Sequence, residues 1–337
     1  MGCMHMPEEF RDESWAKRAI GICRATIGLI SNNAKLISDP QYFEAMVLQS
    51  LLTDVWRIQD VPYVDVDAEL WINDVPGAPL CIRQENDGRR LVLVGDFTRA
   101  EQSCSDNRYS LFGNLGLLFK YALVVLERKH VFSFHASALY REDDHRLVML
   151  LGPAGCGKTV FVLAGIQQGW NVLTVEMAHC EFQGCDLVVH KGALYDNIRV
   201  GSLVVDFPDV VKPLGINVPD TQDIWDHKFA VDLHPVAVKS DFVVNPLISI
   251  VFPKVEVGRG DPVTTTIPVG NALRRKLYDN LSEKICSPLL LYDQLPIVGF
   301  DTPEMASSRL EFVNKFANCV VDARSVLTGP QACMKGV

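Results

Sequence analysis

Apolar positions change period along the chain. From residue 13 to 36 they recur at roughly helical spacing and predict a helix, and residues 42–56, after Pro40, predict a second. From 63 to 96 the period shortens to two. Ala68-Glu69-Leu70-Trp71-Ile72 alternates, Gly77-Ala78-Pro79 marks a turn, and Arg90-Leu91-Val92-Leu93-Val94 is apolar and extended. Between them Asn86-Asp87-Gly88 carries the Asp-Gly pair that favours a tight hairpin turn. Residues 110–128 read as a long, mostly apolar helix that packs against the sheet. Two strands follow, 132–140 and 147–151, joined by the charged turn 141–145. Further strand runs cover 187–189, 202–205 and 247–252, and helices cover 270–281 and 305–319. Residues 206–232, rich in Pro, Asp and Gly, predict a long functional loop. The end from 328 to 337 carries no periodicity and predicts a mobile tail.

The length of 337 residues allows two domains, and the net charge of −9 argues against nucleic acid as a partner, because phosphate backbones call for a basic surface. The longest apolar candidate for a membrane span, 111–126, is interrupted by Asn114 and Lys120, so no membrane partner is expected. Met1-Gly2-Cys3-Met4-His5-Met6 lacks the layout of a signal peptide, and Met6 stands where a myristoylation signal needs Ser or Thr. A cytoplasmic protein is the expectation, and self-association into a homo-oligomer is compatible with it. The ten cysteines form no C-x-x-C pair. Cys180 and Cys185 near His179 and His190 invite a zinc reading, but their spacing matches no standard zinc pattern.

The chemistry concentrates in Gly152-Pro153-Ala154-Gly155-Cys156-Gly157-Lys158-Thr159, which fits G-x-x-x-x-G-K-[ST] at every position. Glycines there let successive backbone N–H groups converge on a phosphate. Lys158 can set its ammonium on the β- and γ-phosphates, and Thr159 can offer a hydroxyl to Mg²⁺. An apolar strand leads into the loop and a helix follows it, so the positive helix end faces the phosphates. The pattern predicts a nucleoside-triphosphate site. Cys156, beside a helix start and a lysine, is expected to have a depressed pKa, or else to be a small spacer.

The order of these elements resembles the HPr kinase/phosphorylase family, and most closely its HPr-kinase-related offshoots, over residues 111–280. The residues that carry the likeness are His135-Ala136-Ser137-Ala138 ahead of the P-loop strand, the P-loop itself, Gln168-Gly169-Trp170 at the helix end, Asn171-Val172-Leu173-Thr174-Val175-Glu176, and Ile250-Val251-Phe252-Pro253-Lys254. The resemblance implies an α/β fold with a phosphoenolpyruvate-carboxykinase-like P-loop core at 111–325; residues 1–110, which do not resemble the N-terminal domain of the classical HPr kinases, read as an N-terminal α+β domain, and residues 326–337 as the tail. It implies a kinase using ATP and Mg²⁺ on a hydroxyl-bearing small molecule or peptide. His135 would lie close to the γ-phosphate, and Glu176 would hold Mg²⁺ with Thr159. The chain departs from the family at Val175, where the family usually has the aspartate that deprotonates the acceptor. Asp206 and His179 are candidate substitutes. Lys239, Lys254, Arg259, Arg274, Arg275 and Arg199 are candidates for extra positive charge. The competing expectation is a nucleotide-binding regulatory protein with little catalysis.

Overall fold

The computed structural model describes residues 15–38, 57–59 and 64–335. They divide into two units, the first made of the described residues up to Lys129 with Ile285–Phe300, the second of His130–Lys284 and the residues from Asp301 onward. The helix expected over 42–56 lies outside the described residues. The boundary near 130, and the return of 285–300 to the first unit, differ from the expected break after residue 110.

In the first unit β1 (Ala16–Ile22) and β2 (Ala25–Ser31) form an antiparallel hairpin. The helix expected over 13–36 is therefore two strands. Ile20, Ile22, Ile27 and Leu29 are fully buried and Ala19 and Ile30 nearly so, and this burial on both faces of an isoleucine-rich hairpin outweighs the approximate helical spacing. After the helical turn α1 (Lys35–Ser38) come β3 (Arg57–Gln59), β4 (Ala68–Asp74), β5 (Cys81–Glu85) and β6 (Arg90–Gly95), giving a sheet in the order β3-β1-β2-β4-β6-β5. The Asp-Gly hairpin forms as expected between β5 and β6, with Asn86, Asp87 and Gly88 at φ of 51°, 54° and 76°. Asp96 caps α2 (Phe97–Ser103) by accepting from the Arg99 amide at 2.9 Å. α3 (Leu117–Arg128) starts later than 110, and eleven of its 12 residues are buried.

The second unit begins with the hairpin of β7 (Phe132–Arg141) and β8 (Arg146–Leu151), close to the expected bounds. The P-loop and α4 (Lys158–Gln167) follow, then β9 (Asn171–Thr174), β10 (Met177–Gln183) and β11 (Asp186–His190). β12 (Tyr195–Arg199) and β13 (Lys228–Asp232) pair as a separate ribbon. Between them Ser202–Asp206 form a wide helical turn rather than the expected strand: Val204 and Val205 face solvent, and only Ser202 and Leu203 of that run are buried. The expected 206–232 loop contains α5 (Val211–Leu214) and all of β13. The chain continues through β14 (Phe242–Val244), β15 (Leu247–Val255), β16 (Val263–Thr266) and α6 (Asn271–Cys286). It forms β17 (Leu289–Leu291) and β18 (Leu295–Ile297) in the first unit, then ends on α7 (Pro303–Ala317) and β19 (Val320–Thr328).

The large sheet has the order β14-β11-β10-β7-β8-β15-β19-β16, with β9 also paired to β7, and β8, β15 and β19 run parallel. One of its faces packs Phe132, Phe134, Met149 and Ile250 with Leu273 and Leu277 of α6 and Phe312 and Phe316 of α7. A second cluster sets Leu139, Val148 and Leu150 against Phe161 and Leu163 of α4. The fold is thus mixed α/β, and no helix among the described residues is long and apolar enough to cross a membrane. The tail is not loose as far as it is described. Ala332, Cys333 and Met334 are buried, the last two in the cluster that holds α4.

Candidate active site

β7 explains where the site sits. Its upper half, Ala138 to Tyr140, pairs with β9, while its lower half, Phe132 to His135, pairs with β10 on the same edge. Val175 and Glu176 occupy the changeover, and the Ala136 amide donates to the Glu176 carbonyl at 3.0 Å. Glu176 therefore emerges beside His135. The Val175 side chain turns into the apolar cluster under α4 and is buried. The position where the resemblance expects a general base is part of the core.

The P-loop leaves β8 and closes on α4. Gly155 and Gly157 have φ of 82° and 106°, conformations that an L side chain rarely adopts. A Cβ on Gly157 would stand 2.3 Å from Val255 Cγ2, so the overhanging end of β15 presses directly on the loop. No side chain caps the start of α4, which leaves its first N–H groups to serve an anion. Lys158 departs from the usual loop lysine and is buried. Its ammonium donates to the Gly152 carbonyl at 2.8 Å and to Pro153 at 3.4 Å, and it lies 3.2 Å from His135 Nε2. Cys156 also departs from expectation. Burial raises its thiol pKa, outweighing the opposing charge of Lys158.

His135 is the hub. Its ring is buried, with Nε2 3.3 Å from Glu176 Oε2 and Nδ1 3.0 Å from Glu283 Oε2. For Glu176 burial opposes ionisation most, yet the His135 hydrogen bond and the charges of Lys158, His135 and Lys284 together hold its carboxyl below the usual range. Thr159 donates its hydroxyl to Asp196 Oδ2 at 2.8 Å. Burial, then the charge of Glu176, push the Asp196 carboxyl up to about 6, against the hydrogen bonds from Thr159 and the Asn197 amide and the charge of Lys158.

The structure thus brings together His135, Lys158, Thr159 and Glu176, and adds Asp196, Glu283 and Lys284. It does not bring Asp206 to them. Asp206 ends the 202–206 turn, accepts at its carbonyl from Gln331 Nε2 and lies near Cys333, with no bond to the P-loop residues. Its helical turn, rather than a strand, carries it elsewhere. His179 is fully buried and bonded through Nδ1 to Ser133 Oγ at 2.7 Å, and His190 bonds to Glu181 at 3.0 Å. Among the described residues no group of three or more His, Cys, Asp or Glu is placed to hold a metal ion.

Of the basic candidates, Lys254 and Arg259 both pair with Glu256, and Arg199, Lys239 and Arg275 are exposed. Arg274 has a buried Nε with no partner. The loop after β15 borders a cavity of about 490 Å³ lined by Glu256, Arg259 and Asp261 among others. The signal for Asp196 was present in the sequence. Asp196 and Ile198 alternate inward on β12, in step with Leu194 just before it, so an acid occupies a core-facing position, which calls for a partner. Glu283 carried no comparable mark, because a polar residue on a helix normally faces water. No family model and no curated protein matches the chain.

Proposed function

We propose that the chain is an ATP- and Mg²⁺-dependent kinase that transfers the γ-phosphoryl group to a hydroxyl of a small metabolite or of a seryl residue in a peptide or protein. The observation that carries this reading is the meeting of a P-loop lysine with a buried histidine and two acids at the mouth of an uncapped helix. The order of elements that resembles the HPr kinase-related proteins, and with it a phosphoenolpyruvate-carboxykinase-like core, supports the same reading.

The donor set suits Mg²⁺. The Thr159 hydroxyl and the Asp196 and Glu176 carboxylates are hard oxygen donors, and this ion takes one or two carboxylates while keeping several waters. Burial, and after it the charge of Glu176, raises the Asp196 pKa, a penalty on the carboxylate that a bound cation would relieve. Bound there, Mg²⁺ would neutralise charge on the β- and γ-phosphates. The chain's own groups supply the rest. Backbone N–H groups of the P-loop and the start of α4 hold the phosphates. Lys158 exchanges its carbonyl partners for phosphoryl oxygens and stabilises the charge that grows on them. The acceptor oxygen bonds to phosphorus as the β–γ bridging bond breaks and ADP leaves, and the hydroxyl proton passes to His135 Nε2. Such transfers have loose transition states in which positioning outweighs base strength, so a valine at 175 is tolerable.

The deciding experiment incubates pure protein with ATP, Mg²⁺ and pools of hydroxyl compounds or peptides, and follows ADP together with the mass gain of one phosphoryl group. ADP that appears only with an acceptor supports the kinase. One observation favours a second reading, a nucleotide-binding regulator: the buried, apolar Val175 leaves the usual base position empty of chemistry. Saturable ATP binding without turnover on any acceptor is its signature.

A further inference from the structure

His135 is gripped twice by one helix. Asn280 of α6 donates from Nδ2 to the His135 carbonyl at 3.2 Å, and Glu283, one turn on, meets the ring at Nδ1 through both carboxylate oxygens, at 3.1 and 3.0 Å. From this geometry we propose that Glu283 is the positioning residue that keeps a proton on His135 Nδ1 and turns Nε2 toward Lys158 and Glu176. Its catalytic meaning rests on the kinase reading above, but its geometry does not.

The donor and acceptor roles follow from elementary chemistry. The Glu283 carboxyl is held below the usual range, chiefly by the His135 hydrogen bond and against burial, so at neutral pH it is ionised and can only accept. A hydrogen bond to it requires the proton on Nδ1, in the neutral ring as in the charged one. On the other side, Nε2 faces a donor, Lys158 Nζ at 3.2 Å, and an acceptor, Glu176 Oε2 at 3.3 Å. Glu176 competes for a proton on Nε2, but it is farther away, offers a single oxygen and is opposed by the lysine. The two oxygens of Glu283 win the neutral ring. A ring flip would break the Nδ1 contact and both Nε2 contacts together. Since the Glu283 side chain is 38% exposed, the bond adds little to stability, and its effect is on where the proton sits. Lys284, the next residue, lies 3.8 Å from Glu283 and lowers the pKa of Glu176 as well, so α6 also supplies the site with positive charge. In a histidine left to solvent the neutral ring favours the proton on Nε2, which would leave Nδ1 as the acceptor, on the side away from the P-loop.

The test uses the full chain labelled with ¹⁵N-histidine, with His135 assigned by its loss in His135→Gln, at a pH where the ring is neutral. The wild type is expected to show a protonated Nδ1. Glu283→Ala should shift most of the population to the Nε2-protonated form, and Glu283→Gln, which keeps an acceptor oxygen, should retain part of the wild-type signature. In the same series, turnover should fall about 10–100-fold for Ala and less for Gln, with the KM for ATP nearly unchanged, as for other partners that orient a functional histidine. An Nε2-protonated wild type overturns the inference, as does an unchanged tautomer in folded Glu283→Ala. Should the alanine variant not fold, the wild-type and glutamine spectra still decide. Expected spectra without any acceptor-dependent turnover would discard the kinase and keep the role of Glu283.

Discussion

Thr159 and Asp196, 37 residues apart, are joined by a hydroxyl-to-carboxylate hydrogen bond of 2.8 Å. The bond places a buried acid under the P-loop threonine, where the sequence pattern alone shows only the threonine. Thr159 spends its single proton on Asp196 and keeps lone pairs for a cation.

Asp196 should govern how the free protein responds to pH. Its folded pKa of about 6 lies above the ordinary aspartate value of 3.8, so between those values the folded state binds the extra proton. Stability is fully present below the lower value and falls as pH rises through the higher one, by about 3 kcal/mol for a shift of this size. Asp196→Asn should be the more stable protein at pH 7.5 and lose that advantage at pH 4. Urea unfolding of both proteins without Mg²⁺ at several pH values measures the difference curve; a flat one would contradict the burial of this acid.

Lys158→Ala should lower turnover about 10²–10³-fold, the usual cost of removing one donor aimed at developing charge. Because Lys158 also ties together Gly152, Pro153 and His135, the variant should unfold at a lower temperature, unlike a typical surface lysine. Calorimetry and single-turnover kinetics on the same sample separate the two effects. Wild-type turnover in a folded variant removes the kinase assignment.

The two P-loop glycines with positive φ should differ in their tolerance. A Cβ on Gly155 meets nothing within 4 Å, so Gly155→Ala pays only for its backbone conformation, about 1–2 kcal/mol. On Gly157 the same atom collides with Val255, so Gly157→Ala should cost more and should weaken binding of a fluorescent ATP analogue more strongly. Equal losses at both sites would mean that β15 does not brace the loop.

Val175→Asp should not restore a base. Its side chain is buried among Leu139, Val148 and Phe161, so a carboxylate there has no partner and should destabilise the protein by roughly 3 kcal/mol or more at neutral pH. The penalty should shrink near pH 4, where the acid is neutral. Gain of ATPase activity in a variant as stable as wild type would show that the strand can turn outward.

These residues also show what the sequence made legible. Local grammar was readable: the P-loop between β8 and α4, the Asp-Gly hairpin, and the apolar runs of β7 and β15. Contacts over long separations were not. The fate of Asp206 depends on whether 202–206 is a strand or a helical turn, and the apolar residues there, Val204 and Val205, turned out to face water. Glu283 reaches His135 across 148 residues, and nothing in its neighbourhood announces the meeting. At the N-terminal end the period is ambiguous, since Ile20 and Ile22 read equally well on a helix until their strand partners are known.

The interruption of the second unit by 285–300 limits how this molecule can be taken apart. That segment is bound within the first unit by the Tyr292 amide to the Tyr109 carbonyl, by Asp293 accepting from Ser105, and by Gln294 donating to Ser103. It is also the direct continuation of α6, the helix that carries Asn280 and Glu283. No single cut releases either unit whole. Removing the residues before 130 would strip 289–297 of its partners and leave the helix that holds His135 running into an orphaned segment. The P-loop unit is therefore not a portable cassette, and a fusion or swap that preserves it must carry that segment's partners, from Phe97 to Tyr121, along with it.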